Sequence, residues 1–215
     1  MIGATEYRPA KAISILPERK QEDIKMIIIH HTGAGILRKT VSPLQAAIRV
    51  YTEIMDFCPH YLIGYNGEII RFVPDNFVAW HAGAKSTAQK IWQYSQYTTR
   101  RSIRHNWLHE NINRFHSWRR VYGDRSPLDL QEKLNFNQFS IGIELLAVEF
   151  NDYYYHNQLI TLTNLVNWLC EKYNIITDKY HITTHSLCQP YSRITQAGFM
   201  WDPPESKFNL LKFLG

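Results

Sequence analysis

Met26-Ile-Ile-Ile29 is apolar at every position and closes on two histidines, His30 and His31. A strand that alternated between core and water would alternate in polarity. A short β-branched run without alternation reads instead as a strand buried on both faces, inside a sheet covered by layers above and below. Its polar end then lies at the rim of that sheet. Two other short runs end in the same way: Ser140-Ile-Gly-Ile-Glu144 on a carboxylate, and Tyr180 to Thr184 on His185.

The connecting segments point to an α/β chain. Ser42-Pro43-Leu44-Gln45 offers an N-cap serine, proline at the first helical position and glutamine at the third, a capping-box start. Leu44, Ala47, Ile48 and Tyr51 then follow at helical spacing. Tyr65-Asn66-Gly67 between apolar runs at 61–64 and 68–73 is a hairpin signal. Leu159, Leu162, Val166 and Leu169 mark one face of a helix, and 208–214 reads as a short terminal helix.

A chain of 215 residues with 45% hydrophobic content suits one well-packed domain. The expected fold is a single α/β domain with a mixed central sheet flanked by helices. Residues 1–24 form an N-terminal extension, and 85–137 a basic, mostly helical insertion. No apolar run reaches the roughly 18 residues needed to cross a bilayer, and the first twenty residues lack the apolar segment of a secretory signal. Localisation stays open. Three cysteines, Cys58, Cys170 and Cys188, have neither metal-type spacing nor an even count, so unpaired thiols are expected.

Charge is concentrated in the insertion. Between Lys85 and Lys133 there are ten Lys or Arg against four acids, although the whole chain carries only +5. Trp92, Trp107, Phe115 and Trp118 are interleaved with these arginines. They suit burial against the domain beneath a solvated basic face, and no nucleic-acid-binding motif accompanies them.

His30, His185, Glu144 and Asp202 all fall at or beyond the ends of the short strands. Two histidines and one carboxylate leave a fourth position open on a tetrahedral zinc ion, as catalytic zinc requires. A carboxylate outside the ligand set can move the proton of an activated water. The same stretches occur as motifs in a familiar order: Ile-Ile-Ile-His30-His31-Thr-Gly, His60-Tyr-Leu-Ile-Gly-Tyr-Asn-Gly-Glu, Val73-Pro-Asp, Ala79-Trp80-His81-Ala82-Gly83, Ser140-Ile-Gly-Ile-Glu144, Thr184-His185-Ser186 and Trp201-Asp202-Pro203. In these the chain resembles the zinc-dependent N-acetylmuramoyl-L-alanine amidases, a family that includes phage lysins, recycling amidases and peptidoglycan recognition proteins.

The resemblance implies a metal in an open groove, with His30, His185 and Asp202 as zinc ligands and Glu144 as catalytic base. It places Trp80 and His81 along the groove where substrate binds. The implied partner is peptidoglycan or a soluble muropeptide, acted on by a monomer. His31 should turn away from the metal, because adjacent strand residues face opposite sides, and His60 should be structural. The alternative is a peptidoglycan-binding module of the same fold that does not cut. Two features depart from the family pattern. Seventeen positions separate His185 from Asp202, where catalytic members usually keep the third ligand close, and Met200 stands where a lysine often faces the oxyanion. Arg193 is the nearest substitute cation.

The basic insertion generates one prediction. Reversing Arg100, Arg101 and Arg104 to glutamate should weaken binding to purified sacculi at low salt and flatten its salt dependence, because attraction between exposed charges is screened by salt. A co-sedimentation series in increasing sodium chloride checks it.

Overall fold

The computed structural model describes residues 5–33, 42–82, 136–148, 153–178, 181–185, 202–204, 208–209 and 212–213. Within these, six strands form one mixed sheet: β1 (Thr5–Tyr7), β2 (Met26–His31), β3 (Tyr61–Ile63), β4 (Ile69–Arg71), β5 (Ser140–Leu145) and β6 (Ile182–Thr184), in the order β1-β4-β3-β5-β2-β6. β3, β5, β2 and β6 run parallel, while β4 is antiparallel to β3 and carries β1 parallel to itself at the edge. The apolar run at 26–29 is β2, interior between β5 and β6 and buried at all six positions. Residues 5–24 are integrated into the domain: β1 pairs with β4, and Ala10, Leu16 and Ile24 are buried.

Side-chain alternation divides the core. Ile27 and Ile29 of β2 face the same side as Ile141, Ile143 and Leu145 of β5, packing against helix α3 (His156–Tyr173) through Leu162, Leu165, Val166 and Leu169. The α3 stripe agrees with the sequence periodicity, and Asn174 ends the helix in the left-handed conformation that asparagine tolerates. On the other face Leu62 and Ile70 meet helix α1 (Pro43–Arg49), whose chain runs on into a π-helical turn at Val50–Ile54. The Asn-Gly signal produces the expected hairpin. Gly67 takes φ +88°, open to glycine without cost, and its N–H donates to the Gly64 carbonyl at 3.1 Å.

Ser42 and Pro43 occupy the expected N-cap and first helical positions, but the Ser42 side chain makes no capping hydrogen bond. Ser42 is exposed, so water competes for its hydroxyl, and the capping box is not formed. Of the expected terminal helix, Lys212 and Phe213 are helical within the described residues. Of the 85–137 insertion, residues 85–135 lie outside them, and Phe136 and Asn137 fall in helix α2 (Phe136–Phe139).

Asp75 ties the hairpin to α3. Its buried carboxylate accepts from Tyr61 Oη (2.5 Å), Tyr173 Oη (2.5 Å), Lys172 Nζ (3.0 Å) and Arg71 Nη2 (3.1 Å). Burial pushes its pKa up. The hydrogen bonds from Tyr173 and Tyr61, with the Arg71 charge and the Lys172 bond, outweigh burial and hold it below the ordinary value. Stability from a depressed carboxyl is fully present above the unfolded pKa, about 3.9, and is lost as pH falls through the folded pKa. Asp75→Asn should therefore cost about 2–4 kcal/mol at pH 7, since it leaves buried donors facing an amide. Urea unfolding at pH 7 and again near pH 3 should show that penalty shrinking in acid.

Candidate metal centre

Parallel pairing brings the C-terminal ends of β2, β5 and β6 to one rim. The register sets His30 beside Glu144 and Ile29 beside Thr184, so His185 arrives next to His30. His30 Nδ1 lies 3.0 Å from His185 Nδ1, and His185 Nδ1 lies 2.7 Å from Asp202 Oδ2. The second Asp202 oxygen is 3.8 Å from His30 Nδ1 and accepts the His31 backbone N–H at 2.8 Å. The seventeen-position separation thus does not keep Asp202 from His185. All three side chains are buried, with residue exposures of 1%, 3% and 4% in chain order.

This geometry fits a divalent metal. A candidate ligand atom from each residue lies within 4.8 Å of the others. Ligand nitrogens on a tetrahedral ion at zinc-like bond lengths stand roughly 3.3 Å apart, close to the spacing of the two Nδ1 atoms. Two imidazoles and a carboxylate also form a donor set that suits zinc and its first-row neighbours. His185 Nε2 is buried and has no hydrogen-bond partner among the described residues, so its ring is held chiefly by the contacts of Nδ1.

Glu144 shares the groove face of β5 with Ser140 and Gly142, since alternate strand positions point the same way. The Tyr51 side chain lines the same cavity and lies close enough to feel the Glu144 charge. Burial, followed by the charges of Glu144 and Asp202, raises the Tyr51 pKa well above the ordinary value, so Tyr51 keeps its proton. The cavity, about 440 Å³, is lined by His30, Tyr51, Trp80, His81, Glu144 and His185 among others. Trp80 and His81 lie in its wall. Cys58 is there too, but burial pushes its thiol up to about 12, which leaves no thiolate near neutral pH.

His31 turns to the opposite face, where its Nδ1 meets Tyr154 Oη at 2.8 Å. His60 is structural: its Nδ1 accepts the Gly142 N–H at 3.0 Å, leaving Nε2–H for the Phe77 carbonyl at 3.1 Å. Arg193, Met200 and Cys188 lie outside the described residues. Tyr51 is the site group that sequence reasoning passed over. Its helical spacing marked it as core, and its position in the Val50–Ile54 turn also brings its side chain to the cavity beside Glu144.

The model of the N-acetylmuramoyl-L-alanine amidase family matches residues 20–204. The chain belongs to that family. An N-acetylmuramoyl-L-alanine amidase hydrolyses the amide between N-acetylmuramic acid and L-alanine, so the family implies peptidoglycan as substrate class. Among solved structures, the crystal structure of a selenomethionine AmpD derivative is similar over 99% of this chain and 94% of its own, with 19% identity and a TM-score of 0.52, a likeness of fold. The endolysin amidase LysCS from Clostridium intestinale URNW is similar over 86% and 83%, with 18% identity and a TM-score of 0.46. No curated protein sequence matches. Among the described residues no helix is long and apolar enough to cross a membrane.

For this amidase, removing one ligand nitrogen should empty the centre. Metal analysis after dialysis should find about one divalent ion per chain in the unmodified protein and almost none in His30→Ala or His185→Ala. Full occupancy in either variant would refute the ligand assignment.

Proposed function

We propose that this amidase is a zinc enzyme in which His30, His185 and Asp202 hold the ion and Glu144 is the general base. The convergence of two buried histidines and an aspartate beside a carboxylate outside that set carries the reading. Zinc in such a site supplies Lewis acidity, making water nucleophilic near neutral pH and polarising the scissile carbonyl.

The chain's own residues then have separate tasks. Glu144 takes a proton from the water as its oxygen bonds to the lactyl carbonyl carbon, and passes that proton to the L-alanine nitrogen as the C–N bond breaks. The products are a free lactyl carboxylate and a peptide with a new amino terminus. Tyr51, protonated beside Glu144, places a neutral hydroxyl rather than a second negative charge next to the base. Trp80 supplies an apolar wall against which substrate can exclude water. Arg193, in the segment between His185 and Asp202, is the cation proposed to face the developing oxyanion. A cation there adds several kcal/mol of transition-state stabilisation in a water-poor site. Retention of the ligand trio and Glu144 in one groove favours cutting over simple recognition.

Replacing Glu144 with glutamine keeps size and polarity but removes basicity. Glu144→Gln should hold zinc and unfold at nearly the unmodified temperature, while turnover on muropeptides falls at least about a hundredfold with little change in KM. Mass spectrometry of the products gives the rate and identifies the bond. A variant that loses its zinc, or that keeps nearly full turnover, overturns the assignment.

A further inference from the structure

His81 does more than line the cavity. Its ring lies across β5 at Gly142, where an added Cβ would come within 2.5 Å of His81 Cγ and Nδ1, so only glycine leaves room for it. Its backbone is also fixed: Asn137 Oδ1 accepts both the His81 N–H (3.1 Å) and the Ala82 N–H (2.6 Å). So placed, the ring joins a line of polar atoms, with His30 Nε2 2.8 Å from His81 Nδ1, His81 Nε2 3.2 Å from Ser140 Oγ, and Ser140 Oγ 2.5 Å from the Phe136 carbonyl oxygen.

The carbonyl end sets the direction of that line. A carbonyl can only accept, so the single Ser140 hydroxyl proton points to Phe136, and Ser140 Oγ must accept from His81 Nε2–H. The neutral His81 ring then has a bare lone pair on Nδ1, which accepts from His30 Nε2–H. His30 in turn keeps its own lone pair on Nδ1, the atom turned toward His185 and Asp202. Second partners of this kind commonly fix the tautomer and orientation of metal-binding histidines.

We propose that His81 is a positioning residue for the metal centre, holding His30 in the tautomer that presents Nδ1 to the ion through a hydrogen-bond chain ending at the Phe136 carbonyl. This rests on the reading of His30 as a ligand. The test measures zinc affinity by competition with a chromophoric chelator, with folding followed by circular dichroism. His81→Phe keeps a ring in the seat but offers no acceptor, and should weaken zinc binding about 10–100-fold. His81→Asn places an amide oxygen near the former Nδ1 and should recover most of the affinity. Ser140→Ala, which removes only the far anchor, should cost less than His81→Phe.

Long-range proton–nitrogen correlation spectra of the zinc-loaded, unmodified protein should show His30 protonated at Nε2 and metal-shifted at Nδ1. His81→Phe binding zinc within about twofold of the unmodified protein, or His30 bound to metal through Nε2, overturns the proposal while leaving the ligand set intact. An unmodified protein that binds no zinc overturns the ligand reading and this proposal with it. Should His81→Phe fail to fold, the asparagine and alanine variants and the His30 spectrum decide.

Discussion

β2 lies between β5 and β6, parallel to both, and the candidate metal centre depends on that pairing. Parallel strands deliver their carboxyl ends to a common rim, where open α/β sheets usually place their ligands. One step of register would turn Glu144 onto the α3 side and bring Leu145 into the groove, since strand side chains alternate. The apolar residues that fix the register are those that bury the core: Ile27 and Ile29 beside Ile141 and Ile143. Packing on one face of the sheet therefore holds the chemistry of the other in alignment.

The polar composition of that second face follows from its work. On β5 the core side reads Ile, Ile, Leu and the groove side Ser, Gly, Glu, so one six-residue strand supplies a hydroxyl acceptor, a seat for a ring and a carboxylate. The helix above contributes a hydroxyl through Tyr51 while its ring packs on Phe72. Functional groups here belong to packed elements rather than free loops, which keeps their rotamers narrow. Trp80, His81 and Asp202 are the exceptions: they lie outside the named helices and strands, and the Asp202 carboxylate is fastened by the backbone N–H of His31.

Local pattern revealed much of this in the sequence. The continuous apolar run of β2, the Asn-Gly hairpin and the α3 stripe each reflect a short-range rule, and each element stands where the pattern put it. That His30 and His31 point to opposite faces of the sheet follows from strand geometry, and the family motif indicates which of them faces the groove. Contacts between distant residues were not legible. Thr5–Tyr7 has no strand signature and becomes a strand only because β4 offers an unpaired edge. Asp75 could be read as a turn residue, yet its partners reach from Tyr61 to Tyr173. His81 carried a motif assignment to the groove, but its bond to His30 across 51 positions is a property of the folded sheet.

The clamp at Asn137 has a consequence for how this domain can vary. Ala82 and Asn137 are 55 positions apart in the chain, yet the 2.6 Å hydrogen bond between them makes the exit and re-entry of the intervening segment neighbours in space. A segment with joined ends loads its anchor points little, because the entropy of closing a loop rises only with the logarithm of its length. The stretch between them is thus a natural site of length variation. Its length or charge could change with little effect on the candidate metal site near its base, so the two can vary independently.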